Sequence, residues 1–305
     1  MDIVQPFLEH VKGNTWCIVT KRSRIPLFKL EGGRVVLIDS GISTTDRGGI
    51  FSLLAQNALT VAAVLTSHAH VDHIGNHKAL QKEQGSKLYM TLFDAAISEN
   101  PLYAQAYFYG INYRNVIKYT ATYLCHADYL IRPEDEFIDI EGARFKILRL
   151  PGHTAEHLGF VTPDSVAYLA DALLSDHVLE SVRIPYCISC ALDLDTKNRI
   201  GKMKYDRYIV AHNGVYENIS ALVKRNIDNI LSKVDIIYKI ADHYMSMEQI
   251  LAKTCAALGI RTDSIYKISS SEQSVRVYME YLIEEGRLVQ RANNGIIEYI
   301  RTDCT

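Results

Sequence analysis

No stretch of this chain is apolar for anything near the roughly 20 residues that a membrane-spanning helix needs, so no span is expected. Neither sign of charge dominates. Lys and Arg number 33 against 35 Asp and Glu, a net charge of -2 with histidine neutral. That balance gives no strong pull toward nucleic acid or an anionic membrane surface. The six cysteines are scattered and show no disulfide spacing, so reduced thiols are expected. The opening MDIVQPFLEH lacks a basic segment followed by an apolar one. No signal peptide is read there, and a cytoplasmic protein is expected. What remains is an ordinary globular composition, 48% hydrophobic and 22% charged over 305 residues. That suits one large domain, or one domain with a small appendage.

One short stretch departs from this ordinary background. Thr66 to Gly75 reads TSHAHVDHIG and gathers His68, His70, Asp72 and His73. It follows Val61 to Leu65, an apolar β-branched run that reads as a strand. The cluster therefore opens a loop at a strand end, where scaffolds commonly carry chemistry. Other strands are expected at 16–19, 34–38, 136–140, 144–150, 158–162, 166–171 and 208–211. Gly32-Gly33 reads as the turn between the first two. Helices are expected around Ile50 to Leu59, from Ser189 to Met203 and from Ser220 to Ile240. Residues 92–130 are helical in tendency and rich in tyrosine, an insertion that can serve as lid, pocket wall or interface.

The last 65 residues change character. Ser246 with Gln249 forms a capping-box pattern and Gly259 a stop. Ser269 with Glu272 suggests a second helix start, ending at Gly286. Asn294-Gly295 between two short runs is a strong hairpin signal. Helix, helix, hairpin predicts a small winged-helix-like domain over 241–305, after a first domain over 1–240. It holds seven Lys/Arg against nine Asp/Glu, a poor charge for binding DNA.

Histidine and aspartate suit zinc; imidazole also suits iron, and carboxylate oxygen manganese. More donors follow other apolar strands: His153 after Pro151-Gly152, Asp171 ending YLAD, and His212 ending YIVA. Two divalent ions a few Å apart can share a hydroxide and so supply a nucleophile at neutral pH. One ion can polarise a carbonyl or phosphoryl oxygen while the other steadies the leaving group. Asp72 could serve both as a ligand and in orienting the nucleophile or carrying its proton.

These motifs together resemble the metallo-β-lactamase superfamily over about residues 14–240. The resemblance rests on SHAHVDHIG, LRLPGHT with His153, YLADALL with Asp171, IVAHNG with His212 and LIDSG with Asp39. It implies an α/β fold, a four-layer αββα sandwich, and a metal-dependent hydrolase. It makes His68, His70 and His153 ligands of a first ion and Asp72, His73 and His212 ligands of a second. Asp171 bridges the two, and Asp39 is the buried carboxylate that orients a ligand. Two divalent ions are expected, zinc foremost, with iron or manganese also compatible.

Departures narrow the branch. His70 stands where the flavodiiron oxygen reductases carry glutamate, and Leu174 where the homoserine-lactone lactonases carry tyrosine. The glyoxalase II branch shares the ligand set, but HNGVY puts its tyrosine out of register. No basic arm of the tRNA-maturing nucleases is present. The expected reaction is hydrolysis of an ester or thioester bond in a small molecule. Phosphodiester hydrolysis is the alternative enzyme, and a metal-binding module whose winged helix recognises a partner or nucleic acid is the non-enzyme alternative. His157 reads as a hydrogen-bonded structural residue. His177, Tyr107 and Tyr113 are candidates for the substrate pocket. Cys187 and Cys190 read as two thiols near a helix start, and the tyrosine-rich insertion suggests a homodimer.

Overall fold

The computed structural model describes residues 5–104 and 124–304. Tyr107 and Tyr113, with most of the tyrosine-rich insertion, lie outside them. Two sheets form the body. The first holds, in order, β1 (Phe7–Lys12), β2 (Thr15–Val19), β3 (Arg24–Lys29), β4 (Arg34–Ile38), β5 (Thr60–Leu65), β6 (Lys87–Thr91) and β7 (Tyr129–Ile131). Strands β1 to β4 run as an antiparallel meander, and β4 to β7 are parallel. The second sheet runs β8 (Phe137–Ile140), β9 (Ala143–Arg149), β10 (Leu158–Val161), β11 (Val166–Tyr168), β12 (Arg207–Val210) and β13 (Gly214–Tyr216).

The strand sequences explain the layering. In β4, Val36 and Ile38 face the core between the sheets, while Val35 and Leu37 face a second core outside the first sheet. A strand buried on both faces reads as a continuous apolar run rather than an alternation. Ile50 and Leu54 of helix Arg47–Gln56 close that outer core. Tyr208 and Val210 of β12 likewise meet Ile200, Leu222 and Val223 from helices Cys190–Ile200 and Ser220–Ile240. The order across the body is helix, sheet, sheet, helix.

Several elements differ from expectation. Strand β3 (RIPLFK) stands between the two strands that Gly32-Gly33 was expected to join directly. Its Pro26 masks the strand signal. Val71–Ile74 and His77–Gln84 are helices and Lys87–Thr91 a strand, so Asp72 and His73 sit on a helical turn rather than in open loop. Tyr129, expected in helix, lies on β7 and stacks on Tyr89 with centroids 4.6 Å apart.

In the C-terminal part, strand β14 (Met245–Ser246) leads into helix Met247–Leu258, which has the capping box of Ser246 and Gln249 and a left-handed Gly259. The next helix starts at Ile265, not near Ser269, because Ser264 already caps it by accepting from the Lys267 amide. Strands β15 (Leu288–Asn293) and β16 (Ile296–Arg301) form the hairpin, with Asn294 and Gly295 both at positive φ. Strand β14 pairs with β16. Tyr278, Met279 and Leu282 share a core with Cys187, Cys190, Ile230 and Val234. All six cysteines are free thiols. Burial pushes the Cys190 thiol up to about 12, so it is inert at neutral pH.

Candidate metal centre

Parallel pairing sets β4 beside β5 and β11 beside β12 with matching ends. Asp39 follows β4, His68 follows β5, Asp171 follows β11 and His212 follows β12. The loop after β9 brings His153 to the same edge. Gly152 permits this: its φ is +135°, and a Cβ there would come within 2.4 Å of the Asp193 Cα.

Asp39 organises the floor from a left-handed backbone position, φ +66°. Its Oδ1 accepts the Ser67 amide at 2.8 Å. Its Oδ2 accepts the Ser67 hydroxyl at 2.7 Å, the Tyr168 hydroxyl at 2.7 Å and His73 Nδ1 at 2.8 Å. The Ser67 hydroxyl has one proton, which goes to Asp39. Ser67 Oγ therefore accepts from His68 Nδ1, 3.0 Å away. His153 Nδ1 donates to the Tyr186 carbonyl at 3.3 Å, and His212 Nδ1 to the Arg22 carbonyl at 3.1 Å. Four imidazoles thus have the Nδ1 proton fixed, which leaves Nε2 as the atom that can meet a metal once it carries no proton.

These Nε2 atoms and His70 Nδ1 converge in two groups. In one, His70 Nδ1 stands 2.8 Å from His68 Nε2 and 3.1 Å from His153 Nε2, with Asp171 Oδ2 3.5 Å from His153 Nε2. In the other, Asp171 Oδ1 lies 3.5 Å from His73 Nε2 and 3.4 Å from His212 Nε2; Asp72 Oδ2 lies 3.5 Å from His212 Nε2 and 3.9 Å from His73 Nε2. Donors bonded to a tetrahedral zinc at about 2.0–2.1 Å stand about 3.3 Å apart. Both groups have that size, and each can hold a metal ion. Asp171 turns one oxygen to each. Buried and without a hydrogen-bond partner among the described residues are His73 Nε2 and Asp171 Oδ1, both facing the second group.

Electrostatics divides the groups. Burial holds His68 and His153 well below the usual imidazole range and His70 down to about 4, so all three are neutral. Asp171 raises His212 to about 9 against burial. Burial opposes the charge on His73 too, but Asp171, Asp39 and Asp72 hold it well above its usual range. The carboxylates concentrate negative potential on the second group, which favours a cation there.

His157, expected to be structural, accepts the Asp171 amide at 3.3 Å and props the loop from below. Several supports went unread in the sequence. Asp94 accepts the Ala69 amide at 2.9 Å and the Thr91 hydroxyl at 2.7 Å. The pattern Thr91-x-x-Asp94 at a helix start was its available signal. His77 bridges Ser40 (2.7 Å) and Thr66 (2.9 Å) beneath the loop. The Tyr186 ring packs on His70 and His153, with centroids 5.6 and 5.4 Å away. A cleft of about 480 Å³ opens at the second group. Asp72 and His212 line it together with His177, Val178, Lys21 and Arg22.

A family model described as "Metallo-beta-lactamase superfamily" matches residues 27–212. The hydroxyacylglutathione hydrolase GloC of Haemophilus influenzae is 29% identical over 133 residues, 42% of this chain and 59% of that protein. A hydroxyacylglutathione hydrolase of Chromohalobacter salexigens is 26% identical over 144 residues, 47% of this chain and 44% of that protein. The chain thus spans about half the length of these curated relatives. A metallo-beta-lactamase family protein from Thermus thermophilus has the same fold at 18% identity, with TM-score 0.72 over 97% of this chain and 98% of its own.

Proposed function

The chain belongs to the metallo-β-lactamase superfamily and is a metallo-hydrolase, and from that premise we propose that it cleaves a thioester or related ester bond in a small molecule. One observation carries the reading. Asp171 turns an oxygen to each of two groups of imidazole nitrogens, at the end of an open cleft. His68, His70, His153 and Asp171 would hold one divalent ion, and Asp72, His73, His212 and Asp171 a second. Zinc suits this nitrogen-rich set best, with iron or manganese also compatible. Such ions would lower the pKa of a bound water to about 7 and supply an electrophile for the carbonyl oxygen.

The chain's own groups do the rest. Ser67, Tyr186, Arg22 and Asp39 hold the imidazole rings in place through Nδ1, and His73 and His212 would release a proton as an ion binds. Asp72 is 38% exposed on the cleft side. It takes the proton of the attacking water and delivers it to the leaving group. A thiolate, of conjugate-acid pKa about 8.5, leaves without a strong general acid. That favours a thioester over an alkyl ester, and the name hydroxyacylglutathione hydrolase on both curated relatives points to an acyl–thiol bond. His177, in the cleft lining, is a pocket residue in this reading. The chemistry belongs to residues 1–240, with 241–305 an appended winged-helix-like unit; a soluble homodimer in the cytoplasm is the expected form. Among the described residues no helix is long and apolar enough to cross a membrane.

The test is hydrolysis of thioesters, lactones, β-lactams and phosphodiesters by metal-replete wild type and Asp72→Ala, with bound metal quantified. Thioester cleavage that falls by about 10²-fold or more in Asp72→Ala supports the reading. Cleavage of phosphodiesters alone, or thioesterase activity indifferent to Asp72, overturns it.

A further inference from the structure

We infer that Lys21 and Arg22 form an oxyanion-binding rim beside the metal centre, so that the preferred substrate carries a carboxylate or phosphate near its scissile bond. The inference rests on the hydrolase reading and adds the charge class of the substrate. Both side chains are exposed and line the cleft that Asp72 and His212 also line.

The turn that carries them is held tightly. Thr20 Oγ1 accepts the amides of Arg22 at 3.2 Å and Ser23 at 3.0 Å, and the Thr20 amide donates to the Ser23 carbonyl at 2.9 Å. The turn is also tied to the strand end that presents His212. The Arg24 amide donates to the Ala211 carbonyl at 2.7 Å, His212 Nδ1 to the Arg22 carbonyl at 3.1 Å, and Asn213 Nδ2 to the Lys21 carbonyl at 3.5 Å. One set of bonds thus fixes a donor of the metal centre and the backbone of two cations together.

Their charges are unspent. Nearby cations have acid partners: Arg24 pairs with Glu9, Arg207 with Glu217 and Arg225 with Asp176. Lys21 and Arg22 have none among the described residues. Of the two carboxylates lining the cleft, Asp72 belongs to the second donor group. Asp46 is buried and already accepts the Ile42 amide at 3.2 Å and the Thr45 hydroxyl at 3.0 Å. A concave wall with two uncompensated cations focuses positive potential on the path to the centre. Arginine offers the fork that matches a carboxylate or phosphate, and lysine adds a mobile point charge. Val178, Ile42 and Val71 give the same cleft apolar surface. A substrate with an apolar arm and an anionic end fits this division.

The experiment uses metal-replete full-length protein and three thioesters that differ at one terminus: carboxylate, phosphate or carboxamide. Wild type should favour one or both anionic substrates over the carboxamide by tenfold or more in kcat/KM, through KM. Arg22→Met with Lys21→Met should erase most of that preference, a change of about 10- to 100-fold, and Arg22→Glu should invert it. The carboxylate and phosphate arms identify the anion. Calorimetric binding of succinate, against succinamide, is measured in parallel and needs no turnover. If no thioester is cleaved yet succinate binding still weakens about tenfold without the two cations, the thioesterase reading fails and this one stands. Equal KM for charged and neutral thioesters in wild type, or succinate binding indifferent to both substitutions, overturns it.

Discussion

The two donor groups around Asp171 use similar side chains in opposite settings. The first is the more buried: His68 is fully buried, His153 nearly so and His70 half-buried, and the Nδ1 protons of His68 and His153 go to Ser67 and the Tyr186 carbonyl. The second is open: Asp72 and His212 are 38% and 22% exposed and line the cleft. Burial keeps the first group neutral, while Asp171 and Asp72 charge the second. A more buried, neutral, nitrogen-rich group is suited to hold an ion firmly. An open group rich in carboxylate is suited to meet substrate and exchange protons. The arrangement separates retention from chemistry within a single edge of the fold.

Asp171→Ala attacks both halves and has the largest expected effect. Each group loses an oxygen, and the second also loses what most raises His212. Metal content should fall toward one ion per chain and activity by about a thousandfold or more, a loss of several kcal/mol. Retention of two ions would show that Asp171 does not join the groups.

Asp39→Asn tests whether the second group depends on its hidden scaffold. The Asp39 carboxylate orients His73 directly and His68 only through Ser67. An amide presents one acceptor oxygen where four donors arrive. Metal affinity should drop about 10- to 100-fold, more at the second group than the first. Stepwise metal titration separates the halves; equal weakening of both would dissolve the distinction drawn between them.

How much of this was legible follows from distance along the chain. His68, His70, Asp72 and His73 announce themselves because they crowd one turn. His153, Asp171 and His212 stand out because each follows an apolar strand. Their supports are silent in sequence, since each acts across the fold. Tyr168 meets Asp39 over 129 positions, Asp94 meets Ala69 over 25, and Arg22 meets His212 over 190. A tyrosine in YLAD looks like core until its hydroxyl is seen on a carboxylate. Strand β3 was hidden by Pro26, and the helix from Ile265 by a second serine-and-glutamate pattern one turn further on.

Asp94 gives the comparison a pH axis. Burial raises its carboxyl to about 7 despite the hydrogen bonds from Thr91 and Ala69. A carboxyl with pKa about 3.9 unfolded and about 7 folded keeps its proton in the native state where the unfolded chain has lost it. Its contribution is fully present below about pH 4 and is lost as pH climbs to about 7, up to roughly 4 kcal/mol. Asp94→Asn should flatten that part of the stability–pH curve in metal-free protein, as read by denaturant titration at pH 5 and pH 8. An unchanged slope would mean that Asp94 is ionised at its post under the loop.

The smallest expected effect tests whether the more buried half reaches into the C-terminal part. The Tyr278 hydroxyl donates to the Pro185 carbonyl at 3.0 Å, and the next carbonyl, that of Tyr186, accepts His153 Nδ1. The Ile188 amide returns to the Gly152 carbonyl at 2.8 Å, beside His153. Tyr278→Phe keeps the ring in its core and removes only the hydroxyl, leaving Pro185 without this donor. Stability should fall by about 1–2 kcal/mol. Affinity at the first group should fall by a few-fold while the second is unmoved, because none of these three hydrogen bonds involves His73 or His212. Equal loss at both groups would mean that Tyr278 supports the fold at large. Loss confined to the first would make residues 241–305 a brace for the buried half of the centre, a role that fits their acidic surface better than nucleic-acid binding does.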